Sequence, residues 1–150
     1  MNNWERKEIK IRPIGIISET NREDIMKITV YPEYAEGLDG IEELDHIYVL
    51  YWMNRLSETD RKILKVHPRG DVNKPLRGVF SLISPMRPNP IGLTRVKLVK
   101  REGNILYVKG LDALPKSPVI DIKKRLNLKR KWWAGGTNTR KGSSPIIYIA

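Results

Sequence analysis

The residues best placed to do chemistry lie in one stretch, SPMRPNPIGLT, from Ser84 to Thr94. Pro85, Pro88 and Pro90 each fix their own φ and push the preceding residue toward extended conformations, so Ser84, Arg87 and Asn89 are held extended as well. A segment with so few conformations to lose presents its carbonyls, its amides and the Arg87 and Asn89 side chains to a ligand at little entropic cost. Gly92 has no Cβ and lets another backbone, or a flat ligand, come close. The pattern suits a rigid pocket wall. Two other readings share it: a stiff connector between strands, and a polyproline ligand for another protein, since Pro85-Met86-Arg87-Pro88 satisfies PxxP.

Other chemistries are thinly represented. The chain contains no cysteine, which removes disulfides, thiolate metal sites and cysteine nucleophiles. It has no GxGxxG, P-loop, HExxH or GxSxG motif. Its histidines, His46 and His67, stand far apart without ligand-spaced company, so no metal site is expected. His46 reads as a satisfied structural residue and His67 as an exposed one. An enzyme built from what remains must act mainly by positioning its reactants.

The charge points to a polyanionic partner. The net charge is +11 over 150 residues, and nucleic acid is the usual partner of so basic a surface. After Asp121 no acidic residue follows, while Lys123, Lys124, Arg125, Lys129, Arg130, Lys131, Arg140 and Lys141 all carry positive charge. Lys129, Arg130, Lys131, Trp132 and Trp133 are the candidate RNA contacts, since cations beside aromatic rings suit phosphate contact and base stacking together. A solvated tail, with one tryptophan packed inside, is the plainer alternative. No apolar run is long enough to span a bilayer, and the N-terminus does not read as a signal peptide. A cytoplasmic protein is expected.

The elements that must position these residues are mostly strands. IRPIGII (11–17), IMKITVY (25–31) and SPVIDI (117–122) read as short strands. DHIYVLYWM (45–53) reads as a central strand buried on both faces. YAEGLDGIEELD (34–45) reads as a short, poorly sustained helix. Ser57 with Asp60 three residues later permits one capped turn, and KILKVHPR after it alternates like a strand. GVFSLI (78–83) reads as a strand running into the proline segment. IGLTRVKLVKREGNILYVKGL is the clearest hairpin, turning at Glu102-Gly103-Asn104. RGDVNKPLRG and GGTNTRKGSSP are loops by composition, and PIIYIA could add a last strand. The expected fold is all-β, a mostly antiparallel barrel-like domain over 1–125 with short helical segments. A basic C-terminal extension, 126–150, is expected to pack on the same domain.

GVFSLISPMRPNPIGLTRVKL followed by GLDALPKSPVIDIK resembles the paired signature of the TrmO (YaeB, TsaA-like) family, GVFxxRSPxRPNPIGLSxVxL and GxDLLDGTPVLDIKP. Upstream, IRPIGII and GLDGIEELDHIYVLYWM resemble the family's RPIGxI opening and its LxGLExFSHIWLLFxFH strand. The resemblance runs from about Ile11 to Lys124 in the family's order. It implies a homodimeric S-adenosylmethionine-dependent tRNA methyltransferase with a barrel-like catalytic domain. The implied reaction methylates N6 of threonylcarbamoyl-adenosine beside the anticodon, with the cofactor near the subunit interface. By position it implies a cofactor wall of Arg87, Asn89, Pro90, Gly92 and Leu93. A second wall falls in the turn from Asp112 to Val119, with Leu114, Pro115, Lys116 and Ser117 standing where the family has LDGT. Asn54 and Arg55 match the end of the family's apolar strand, and Ser18-Glu19-Thr20 match its SPF loop. The chain departs from the pattern at Ile83 for arginine, Asn54 for histidine, Pro115-Lys116 for Asp-Gly, and in the SPF loop. Asp112 is a weak candidate for orienting the target amine, Asp121 is expected to pair with a basic neighbour, and no catalytic base is assigned. Two alternatives remain: a non-catalytic RNA-binding protein on this scaffold, and a methyltransferase of the same fold with another substrate.

Overall fold

The computed structural model describes residues 8–125. Its centre is a closed barrel in which β1 (Gly15–Glu19), β2 (Ile25–Val30), β7 (Ile105–Lys109), β6 (Ile91–Glu102), β3 (His46–Trp52) and β8 (Pro118–Lys124) follow one another around the ring. Every neighbouring pair is antiparallel. The described chain is therefore all-β as expected, with few and short helical turns. Ile17, Ile28, Val30, Ile47, Val49, Val96, Leu106, Val108 and Val119 fill the interior. Each buried aliphatic side chain contributes roughly 1.5–3 kcal/mol over an exposed one.

β3 corrects one expectation. Its burial alternates strictly, with Ile47, Val49 and Tyr51 inside and His46, Tyr48, Leu50 and Trp52 half-buried outside. A closed barrel has only one interior, so even its most apolar strand keeps an outer face. The hairpin of β6 and β7 forms where the alternation places it, turning at Gly103 with φ 59°. Asn104 ties the turn to β2: its Nδ2 donates to the Val30 carbonyl at 2.6 Å, and its own carbonyl accepts from the Val30 amide at 2.8 Å.

Other boundaries moved for identifiable reasons. The first strand starts at Gly15 rather than Ile11, since Pro13 has no amide to give a ladder. The stretch 34–45 forms two 3-10 turns, Pro32–Leu38 and Ile41–Glu43, rather than a helix. Gly40 at φ 85° interrupts them. Helix α1 (Glu58–Arg61) has both arms of the capping box between Ser57 and Asp60. The strand expected after it shrinks to β4 (Lys65–Val66), paired with β5 (Arg77–Gly78).

GVFSLI is not a strand beyond Gly78. Val79–Ser81 makes a 3-10 turn instead. The carbonyls of Val79 and Leu82, which a strand would offer to a neighbour, are taken by Arg87 Nη2 at 2.8 and 2.6 Å. Val79 is buried while Phe80 and Ile83 are 79% and 100% exposed. His67 is half-buried rather than free on the surface, with Nδ1 2.7 Å from the Lys74 carbonyl oxygen. His46 is half-buried, and its ring makes no hydrogen bond among the described residues. The extension from 126 to 150 and the strand expected in PIIYIA lie outside the described residues.

The ring closes most narrowly between β1 and β8. Only Gly15↔Val119 and Ile16↔Pro118 are in register there, whereas β8 stays paired with β3 from Val119 to Lys124.

Candidate functional site

Antiparallel connectivity sends the chain segments after β1, after β3, before β6 and after β7 out of the same end of the barrel. The segments singled out in the sequence, Ser18–Thr20, Met53–Arg55, Ser84–Leu93 and Asp112–Ser117, are those four. The fold therefore brings the two expected walls together.

The first wall is held from three directions. The Met53 amide donates to the Pro90 carbonyl at 2.8 Å, fixing the proline segment to the end of β3. Arg61 Nε donates to the Pro88 carbonyl at 2.8 Å. The same guanidinium lies 5.3 Å from the centre of the Trp52 ring and pairs with Glu58 at 2.7 Å. Within the segment, Arg87 donates to the carbonyls of Ser84, Val79 and Leu82. Arg87 therefore spends most of its donors as a clamp that shapes the wall. Asn89 is exposed, with its carbonyl accepting from the Ile91 amide at 2.7 Å. Pro90 is fully buried, and Leu93 is 64% exposed on the outer face of β6.

Gly92 serves a partner that the sequence did not reveal. It faces Tyr51 across the β3–β6 pair, and a Cβ at Gly92 would collide with the Tyr51 ring. The close approach foreseen at this glycine is thus made by the protein itself. Tyr51 is 5% exposed. Its hydroxyl donates to the Asp112 carbonyl and lies 3.2 Å from Thr94 Oγ1. One core tyrosine therefore joins the strand of the first wall to the start of the second.

The second wall is tied down at both ends. The Lys116 amide donates to the Ile17 carbonyl at 2.8 Å, and the Ile17 amide donates to the Ser117 carbonyl at 3.1 Å. Ser117 is 2% exposed, and its hydroxyl donates to the Leu114 carbonyl at 2.6 Å. Lys116 sits at φ 68°, a region that costs most L-residues about 1–2 kcal/mol. The backbone thus keeps the left-handed turn although glycine is absent. Leu114 is 52% exposed, Pro115 half-buried, and Asp112 exposed. Asn54 and Arg55 are exposed where β3 ends. Thr20 closes the turn after β1, its hydroxyl bonding the carbonyls of Arg22 and Ile25. Asp121, by contrast, is on the barrel wall, paired with Lys123 at 3.0 Å.

At this end of the barrel Leu93 and Leu114 are exposed apolar side chains, and Asn54, Arg55 and Asn89 are exposed polar ones. That combination fits a ligand with a flat apolar ring and polar edges, as S-adenosylmethionine has. Tyr51 and Arg61 were not found from the sequence. Their signals were present, an aromatic inside an alternating strand and an arginine in a capped turn, but neither pattern says what the side chain will reach. A separate cavity of about 630 Å³ opens at the opposite end of the barrel, between the 3-10 turns and the end of β8. None of the expected cofactor residues lines it. Lys129, Arg130, Lys131, Trp132 and Trp133 lie outside the described residues. Among the described residues, no helix is long and apolar enough to cross a membrane, and no group of three or more His, Asp or Glu is placed to hold a metal.

Comparison with known proteins bears on the family directly. A probable S-adenosyl-L-methionine-binding protein of Methanocaldococcus jannaschii is 47% identical over 114 residues, covering 75% of this chain and 89% of that protein. An S-adenosyl-L-methionine-binding protein of Archaeoglobus fulgidus is 44% identical over 126 residues, covering 76% and 87%. A mouse tRNA (adenine(37)-N6)-methyltransferase is 41% identical over 92 residues, 61% of this chain but 20% of that larger protein. The crystal structure of TrmO from Pseudomonas aeruginosa superposes with a TM-score of 0.61 at 23% identity, covering 92% of this chain and 63% of that one, which establishes a common fold. The model of the tRNA-methyltransferase O N-terminal domain matches residues 10–127, and the chain belongs to that family.

Proposed function

We propose that this end of the barrel binds S-adenosylmethionine between its two walls. The methyl group passes to N6 of threonylcarbamoyl-adenosine beside the anticodon of a tRNA. One observation carries the reading: two pre-formed walls, joined by Tyr51 through Asp112, converge at the end of the barrel in a chain closely similar to S-adenosylmethionine-binding relatives.

When bound, the cofactor supplies an already activated methyl group. The chain has three tasks. The clamped proline segment and the Asp112–Ser117 turn orient both reactants, and good alignment can lower a barrier by about 7–11 kcal/mol. Leu93 and Leu114 exclude water from the reacting centre. An acceptor beside the target amine orients it and takes up its proton late; Asp112, exposed at the start of the second wall, is the carboxylate the motif offers. Titration calorimetry with S-adenosylmethionine and S-adenosylhomocysteine tests the binding step. Saturable heat near one site per chain, followed by labelled methyl transfer to tRNA, is expected. Folded protein that gives no heat with either ligand overturns the reading.

The substrate surface extends onto the basic C-terminal segment, 126–150, with Lys129, Arg130, Lys131, Trp132 and Trp133 at the RNA. Replacing Lys129, Arg130 and Lys131 by alanine weakens tRNA binding and flattens its salt dependence. Affinity unchanged at every salt concentration would sink that assignment. The chain works as a homodimer in the cytoplasm. Exposed Leu76, Phe80 and Ile83 supply apolar surface for the contact. Sedimentation of Phe80→Asp and Ile83→Asp should show a shift from dimer to monomer. The non-catalytic reading draws on Ile83, fully exposed where the family pattern has arginine. It predicts tRNA binding without cofactor binding.

A further inference from the structure

The outer wall of the barrel carries a feature that the pocket does not use. On β3, Tyr48 is half-buried on the outer face. The antiparallel register sets it directly opposite Arg95 on β6 and Lys123 on β8. Directly opposed residues stand with their Cβ atoms roughly 4.5–5.5 Å apart, so a phenol ring is flanked by two cations in a single rung. In the next rung His46 faces Lys97, and Lys97 faces Lys109.

Like charges facing each other across a sheet are unfavourable, and the protein offsets only some of them. Lys123 pairs with Asp121 at 3.0 Å and Lys109 with Asp24 at 3.6 Å. Arg95 and Lys97 meet no carboxylate within ion-pair distance among the described residues, and both are exposed. Tyr107, another tyrosine of the barrel wall, is differently placed. Lys100 lies 4.6 Å from its ring centre, and Glu102 accepts from its hydroxyl at 3.4 Å.

We infer that the outer face of β8, β3 and β6 around Tyr48 grips unpaired RNA. The Tyr48 ring stacks on a base, and Arg95, Lys97 and Lys123 meet the flanking phosphates. An aromatic face among cations is the surface that single-stranded nucleic acid needs. Its position adds to this. Arg95 follows Leu93 by two residues on the same face of β6, about 7 Å along the strand, so nucleotides bound at Tyr48 would neighbour one that enters the pocket. The inference rests on the RNA substrate proposed above and locates where that substrate lies.

The test uses the full chain and a labelled anticodon stem-loop RNA, read by fluorescence anisotropy over a range of salt. For Arg95→Ala with Lys97→Ala, affinity should fall at low salt. The slope of log affinity against log salt should shrink by about 0.7 for each phosphate that is no longer neutralised. Tyr48→Ala should weaken binding about tenfold, while Tyr48→Phe, which keeps the ring, should bind as the parent does. Calorimetric binding of S-adenosylhomocysteine should be unchanged in Arg95→Ala and Lys97→Ala. That readout separates failure of the face from failure of the pocket. RNA affinity indifferent to all these changes overturns the inference, as does a parent chain that does not bind the RNA. Loss of the dimer in Arg95→Ala or Lys97→Ala, seen by sedimentation, also overturns it and assigns the face to a contact between copies of the chain.

Discussion

Gly92 and Tyr51 act as one unit, because the ring lies where any side chain at 92 would begin. Gly92→Ala should destabilise the protein by about 1–3 kcal/mol, the usual range for overpacking, and weaken cofactor binding as Tyr51 swings away from Asp112. Tyr51→Phe keeps the ring and removes only the hydroxyl, so it should cost about 1 kcal/mol yet still lower cofactor affinity. Chemical denaturation with calorimetry separates the two. Lys116 gives the opposite sign. Its left-handed backbone costs about 1–2 kcal/mol, and glycine there gives back roughly 0.5–1 through the freer unfolded chain. Lys116→Gly should thus stabilise by up to about 1.5 kcal/mol in denaturant melts. The sequence showed that Gly92 admits a close neighbour, but not which neighbour. Choosing Tyr51 required the β3–β6 register, which no local pattern encodes.

Elements with their own alternation or capping were legible: β2, β3, the β6–β7 hairpin and the turn of α1 lie where the residue pattern puts them. Elements that depend on distant partners were not. GVFSLI has strand composition, but the Arg87 guanidinium claims its carbonyls, and a side chain reaching back from the following loop leaves no periodic trace. The proline segment was recognised as rigid, while its attachment through Arg61 and Met53 appeared only in three dimensions. Arg87→Lys tests the clamp. A lysine ammonium cannot span the same three carbonyls as a planar guanidinium. The loss should be about 1.5–3 kcal/mol in stability, with weaker cofactor binding and the barrel strands intact by circular dichroism.

At the scale of the whole molecule, surface ion pairs fasten peripheral turns to the barrel. Glu42 accepts from Arg101 at 3.1 Å, and the same guanidinium donates to the Leu38 carbonyl at 3.0 Å. A hydrogen bond from its own backbone amide, then the contact with Arg101, holds the Glu42 carboxyl below its ordinary range. A lowered folded-state pKa means that the contribution is complete above the ordinary glutamate value and fades as pH falls through the lower folded one. Melts from about pH 6 down to 3 should therefore show an acid-side loss that is smaller in Glu42→Gln. The effect is modest because the pair is exposed to solvent. The narrow closure between β1 and β8 has a larger consequence. It is the weak clasp of an otherwise continuous ring, and the second wall sits astride it, since Lys116 and Ser117 are bonded to Ile17. Local opening follows the least-supported contacts, so a ligand held at this wall would also hold the ring shut. Saturating S-adenosylhomocysteine should slow amide hydrogen exchange at Ile14, Ile17 and Lys116 while leaving the β6–β7 hairpin unchanged, making catalytic occupancy a determinant of how long the barrel stays closed.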